Sequence, residues 1–197
     1  LWIASDAGND IMGKSFEAEV MAYSVPEESN LITKKYAFTN LVGDASFEAN
    51  NGWTNENVST DHVKYGNRSL KLTGNSSSTL NKNITLDNSH IYYGRYEVYH
   101  TGATGSASMY FPTSSQYIFS NQSLGNANAW NIVSGLSNSN LISGSQPIRL
   151  DFNTTNSSSI WYDGVMLIDL TSTFGSGKEP TKEWCDKNIP FFTGSKK

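Results

Sequence analysis

The chain has 197 residues and a net charge of -4, with 16% charged and 12% aromatic residues. That length buries a core without disulfide staples, and the single Cys185 excludes a disulfide framework or a cysteine-caged zinc. The sparse, slightly acidic charge argues against a nucleic-acid binder that tracks phosphates, and no apolar run is long enough to span a bilayer.

In chain order, Leu1-Trp2-Ile3 opens without a Met or a signal peptide, as a mature or excised portion of something longer does. Residues 1–38 read as an N-terminal strand and linker, or the end of a preceding domain. Ala18, Val20 and Ala22 alternate with Glu19, Met21 and Tyr23, Pro26 breaks the run, and Lys34 and Lys35 sit in the connector. From Thr39 the texture changes to short apolar runs separated by Gly, Asn and Ser clusters. Strands are expected within 63–73, where Leu70 and Leu72 alternate with Ser69 and Lys71, then in 79–86, 90–100, 107–111, 117–120, 130–133 and 148–152. The run Ile160-Trp-Tyr-Asp-Gly-Val-Met-Leu-Ile-Asp-Leu170 is dense enough for a central buried strand, with Gly164 where backbone comes close to a neighbour. It stops at Thr171-Ser172-Thr173, turns through Gly175 and Gly177, and restarts as a short helix with Pro180 in its first turn and Pro190 ending it. The expected fold is an all-β sandwich of jelly-roll type over 39–192 with a short C-terminal helix, followed by a tail at 193–197.

The order NLVGDASFE, NGW, YGNRSLKLT, HIYYGRYEVY and IWYDGVMLIDLT resembles carbohydrate-binding module family 4/9 and related galactose-binding-like jelly rolls. The ending DGVMLIDLTSTFGSGKEPTKEWCDKNIPFF is similar to modules in tail, baseplate and minor structural proteins of phages of Gram-positive bacteria. The resemblance covers roughly residues 40–192. It implies a non-catalytic virion module that recognises host cell-wall polysaccharide or teichoic acid, beside other tail subunits, as a homo-oligomer or array. Two alternatives stay open: a structural docking or spacer domain of the tail, and an accessory module of a secreted bacterial glycoside hydrolase. The resembling families often hold a structural Ca²⁺ with one carboxylate after the first strand and another in the last. Glu48 and Asp163 match those positions, although Gly164 stands where a second acid is usual.

A sugar site needs aromatic platforms beside amide, carboxylate or guanidinium partners. Alternation along 90–100 puts Tyr92, Gly94, Tyr96 and Val98 toward the core and Tyr93, Arg95, Glu97 and Tyr99 on an outer face. Arg149 and Asp151 are expected to join that face, with Trp130 as a further platform and Trp53 as a platform or a core anchor. Ordinary cross-strand pairing is the alternative reading of the same residues. No catalytic motif is present: His62, His90 and His100 fall in no metal-ligand spacing, G-x-S-x-G is absent, and Cys185 reads as a packed helix residue. The chain is therefore not expected to be an enzyme.

Overall fold

The structure, a computed structural model, describes residues 36–49, 52–54, 57–137, 141–154 and 156–196. The strand expected in 17–24 and the Lys34–Lys35 connector lie outside the described residues. The unit Ala37–Lys196 is built from short strands. They are β1 (Phe38–Thr39), β2 (Val58–Ser59), β3 (Ser69–Thr73), β4 (Ser76–Thr79), β5 (Ile84–Leu86), β6 (Tyr92–His100) and β7 (Ser106–Phe111). Then follow β8 (Gln116–Ser123), β9 (Trp130–Leu136), β10 (Gly144–Gln146), β11 (Arg149–Asn153) and β12 (Ser159–Asp169). Helices α1 (Leu170–Phe174) and α2 (Lys182–Asn188) and strand β13 (Ser195–Lys196) close the unit.

Two antiparallel sheets form the sandwich, a five-stranded one in the order β2-β3-β12-β6-β9 and a four-stranded one in the order β4-β11-β7-β8. The dense apolar run is thus the central strand expected of it. Alternation sorts the faces as the pattern implies. Tyr92, Tyr96 and Val98 of β6 and Ile160 and Tyr162 of β12 meet Ala107, Met109 and Phe111 of β7 and Leu150 and Phe152 of β11 in one core. Full burial of a Leu, Phe or Met side chain contributes about 1.5–3 kcal/mol each, so this layer carries the fold. Cross-layer fit depends on two paired glycines, Gly94 and Gly135. A Cβ at Gly94 would lie 2.6 Å from Ile118, and one at Gly135 would lie 2.6 Å from Phe119. The Tyr162 hydroxyl donates to the Asp151 carbonyl at 2.8 Å and ties the layers polar group to polar group.

Pairing of β12 with β6 slips between Asp163 and Met166, and Gly164 takes φ 61 there. Asn40 fastens this bulge: its amide donates to the Val165 carbonyl at 3.0 Å and its side-chain oxygen accepts from Leu167 N–H at 3.1 Å. After Asp169 the chain does not merely turn. Asp169 caps α1 by accepting from Ser172 N–H at 2.8 Å, so Leu170–Phe174 is helical where a turn was expected. Thr181 caps α2, which places Pro180 before the cap rather than in the first turn. Residues 193–196, expected as a tail, supply β13, which pairs with β1. Among the described residues no helix is long and apolar enough to cross a membrane.

Candidate functional site

The outer side of β6 is not one surface. Its first two members, Tyr93 and Arg95, lie under the chain's own C-terminal segment, and the third, Glu97, under the loop at Lys64 and Tyr65. The Tyr93 hydroxyl donates to Asp186 Oδ1 at 2.8 Å, and Asp186 also accepts from Ser134 Oγ at 2.6 Å and Lys182 Nζ at 2.7 Å. Burial pushes the Asp186 carboxyl up, but those three donors together outweigh it and leave it below the usual carboxylate range. Arg95 gives Nη1 to the Ile189 carbonyl at 3.0 Å and Nη2 to Glu97 Oε1 at 2.8 Å. Glu97 accepts in addition from the Tyr65 hydroxyl at 2.5 Å and pairs with Lys64 at 3.6 Å. Arg95 and Glu97 each keep only 5% of their side-chain surface exposed. Tyr93, Arg95 and Glu97 are therefore a buried polar seam, not a ligand face. Alternation separates the two sides of a sheet, but it cannot tell that α2 and the 189–192 stretch fold over the outer one. Cys185 of the same helix is buried, and burial pushes its thiol up to about 12, so it packs and does not react. Trp53 is likewise an anchor: it is buried against Phe47 and donates to the Asp44 carbonyl at 3.0 Å.

Tyr99 escapes this cover. Lys71, Trp161, Tyr99 and Trp130 stand side by side across β3, β12, β6 and β9. His62 stacks on Tyr99 at 4.1 Å between ring centres, the Lys71 ammonium sits 5.0 Å from the Trp161 ring centre, and Tyr99 and Trp130 are half-buried. Beside them Ile132 is 48% exposed. This is an aromatic patch whose edges are open and whose centre is filled by its own members.

Arg149 and Asp151 lie on the other sheet, on the side away from the core, and do not join Tyr99. The inward residues of β11 are Leu150 and Phe152, so Arg149 and Asp151 point out. Arg149 Nε and Nη2 donate to the two Asp151 oxygens at 2.6 and 3.0 Å, and this pairing raises the guanidinium above its ordinary value. Register sets Thr79, Arg149, Tyr110 and Tyr117 in one row across the sheet. Arg149 lies over the Tyr110 ring at 4.3 Å, Tyr110 and Tyr117 meet at 4.6 Å, and Tyr117 is 41% exposed. A cavity of about 200 Å³ adjoins the row, lined by Asn75, Ser76, Ser77, Arg149, Asp151 and Asn153. Here an open aromatic face, a guanidinium fork and a bank of hydroxyls and amides converge. Tyr110 and Tyr117 were not singled out from sequence. Alternation against Ala107, Met109 and Phe111 signals that Tyr110 faces outward, but it does not say which strand lies beside it.

Glu48 and Asp163 face one loop from two sides. Glu48 Oε1 accepts from Asn67 N–H at 2.8 Å and Arg68 N–H at 2.9 Å. Asp163 Oδ2 accepts from Lys64 and Tyr65 N–H at 2.8 and 2.9 Å, and its Oδ1 accepts from Gly164 N–H at 2.8 Å. Calcium needs six to eight oxygen ligands. The groups aimed at these carboxylates are amide donors, whose positive ends repel a cation, so the pair as arranged does not fit the ion. Among the described residues no group of three or more His, Cys, Asp or Glu is placed to hold a metal.

His90, Asp169 and Ser172 form a superficially catalytic trio. Asp169 Oδ2 and Ser172 Oγ approach the same ring nitrogen of His90, at 2.7 and 3.4 Å, so the ring cannot relay a proton from one to the other. The trio is a helix cap with a histidine clasped to it.

These groups set the expected pH dependence. The hydrogen bond to Asp169, more than offsetting burial, holds His90 above its ordinary value, so its contribution is complete below about 6.5 and fades as pH rises through the folded value. Burial outweighs three amide donors and lifts Asp163 to about 6. Its charged form is thus disfavoured by folding, and stability falls as pH climbs from about 4 to that value. Glu48 and Glu179 run the other way. The Asn67 amide holds Glu48 low and the Thr171 hydroxyl holds Glu179 low, so their contribution is lost as pH falls below about 4.5. The melting temperature is expected to peak between about pH 4.5 and 6. Calorimetry showing a steady rise from pH 5 to 8 contradicts this assignment.

No family model matches the chain, and no curated protein matches it either. Among solved structures, a family 16 carbohydrate-binding module is similar at 16% identity and TM-score 0.47, covering 66% of this chain and 100% of that one. The CBM22-1 xylan-binding domain of Paenibacillus barcinonensis Xyn10C is similar at 12% identity and TM-score 0.45, covering 68% and 92%. The CBM6cm-2 module of Cellvibrio mixtus lichenase 5A, in complex with cellotriose, is similar at 14% identity and TM-score 0.39, covering 68% and 95%. These likenesses concern the fold alone.

Proposed function

We propose that this domain is a non-catalytic carbohydrate-binding module whose ligand lies across the outer face of the four-stranded sheet. The observation that carries the reading is the row Thr79-Arg149-Tyr110-Tyr117 beside a cavity of hydroxyl and amide groups. A pyranose presents C–H faces that lie on an exposed tyrosine ring, and hydroxyls that meet a guanidinium fork, amides and serines. Among the described residues Asp151 is the one carboxylate lining that cavity, and it is already paired with Arg149. Glycoside hydrolysis needs two carboxylates flanking the bond, so binding without cleavage is the chemistry this face supports.

Shallow sites of this kind bind weakly, because losing water from many hydroxyls offsets each new hydrogen bond. Repeated copies raise the effective affinity through avidity. The FGSGKEPTKEWC ending supports a finer placing, in the tail or baseplate of a virion that meets a host cell-wall polysaccharide or teichoic acid.

The test is affinity electrophoresis of the whole chain in xylan, cello-oligosaccharide-containing glucan and cell-wall polymer. Tyr117→Ala is expected to weaken binding about tenfold, equivalent to about 1.4 kcal/mol, while Tyr99→Ala leaves it unchanged. The reverse pattern places the site on the Tyr99–Trp130 patch. No retardation by any polymer overturns the reading.

A further inference from the structure

The cavity beside Arg149 does not end there. At Ser76 and Ser77 it abuts one of about 430 Å³ that reaches Asn57, Lys71 and Thr73, and at Asn75 and Asn153 it abuts one of about 380 Å³ that reaches Thr104 and Thr154. Together they make a trough along β4, the edge strand of the four-stranded sheet, that turns the corner of the sandwich onto β3. Hydroxyls and amides line most of it. Among the described residues the charged groups are unbalanced: Lys71 and Arg149 are cations, and Asp151 is the one carboxylate. Asp151 is spent on Arg149 through two hydrogen bonds. Lys71 rests against the Trp161 ring, and among the described residues no carboxylate pairs with it. A positive surplus in a trough on a chain of net charge -4 is a local feature of the trough, not of the molecule.

We infer that the trough takes a linear glycan carrying an anionic group, carboxylate or phosphate, with that group seated at Lys71 and neutral rings running past Ser77 toward Arg149. The inference rests on the carbohydrate-binding reading and adds the charge and direction of the ligand. An ammonium offers a compact point charge to an anion, and salt screens it over about 8 Å at physiological strength.

Binding of the whole chain to three polymers decides the matter: neutral xylan, glucuronoxylan, whose neutral rings carry spaced carboxylates, and a phosphomannan as the phosphate source. At low salt at least one anionic polymer is expected to bind about tenfold tighter than xylan, and 0.5 M NaCl is expected to erase the difference. Lys71→Gln should bring the affinity for the anionic polymer down to that for xylan. Equal affinity for all three polymers, or an unaltered preference in Lys71→Gln, overturns the inference while the carbohydrate-binding reading stands. Failure to bind any of the three overturns both.

Discussion

Gly164→Val is expected to lower folding stability by about 4 kcal/mol, a fall of roughly 10 °C in melting temperature for a domain of this size. The residue sits at φ 61, where any L side chain costs about 1–2 kcal/mol and a β-branched one more. Its absent Cβ also has nowhere to go. An added carbon would lie 2.6 and 2.9 Å from two atoms of the Tyr65 ring and 3.3 Å from Phe191. Tyr65 cannot yield freely, because its hydroxyl is bound to Glu97 and its ring packs on Phe191 at 4.2 Å between centres. Pushing it aside would loosen the seam that seats the C-terminal segment on β6. Urea denaturation reads the effect directly. A valine variant within about 1 kcal/mol of the parent would show that the bulge relaxes more easily than its contacts imply.

Asp163→Ala is expected to cost about 3 kcal/mol, through its hydrogen bonds rather than through any ion. Three backbone N–H groups lose their acceptor at once. The amide of Gly164 is buried, and those of Lys64 and Tyr65 are partly so, which keeps each loss near the lower end of the usual penalty. Asp163→Asn should be nearly as damaging, since it replaces one acceptor oxygen with a donor facing other donors. Millimolar calcium is expected to leave the melting temperature of parent and variants alike. A calcium-dependent rise of several degrees in the parent, absent in Asp163→Ala, would make the carboxylates metal ligands and displace this account.

Those two neighbours show what a sequence of this kind conveys and what it withholds. Gly164 beside Asp163 in an apolar run marks a close approach, and the structure supplies the partner, Tyr65. The faces of β6 were legible because period-two alternation is a local property: Tyr92, Tyr96 and Val98 are buried in the core as the pattern requires. What lies over the other face is not local. Tyr93 and Asp186 are 93 residues apart, and nothing in either stretch announces the other. The same limit misplaced Arg149 and Asp151. Their strand pairs with β4 and β7, and strand order across two sheets is set by long-range packing, not by any single run. Helix α1 left a weak signal, an aspartate three residues before a serine whose amide it caps, obscured by the glycines that follow.

The ribbon of β1 and β13 brings the two ends of the unit 37–196 together. Phe38 stands opposite Lys196 and Thr39 opposite Ser195, and Asn40 N–H donates to the Gly194 carbonyl at 2.8 Å. Entry and exit of the polypeptide are therefore held one strand spacing apart, about 4.8 Å. Joining Phe38 to Lys196 by a short linker and opening the chain at an exposed loop tip is therefore expected to leave the sandwich folded, because the permuted chain keeps the pairing of β1 with β13.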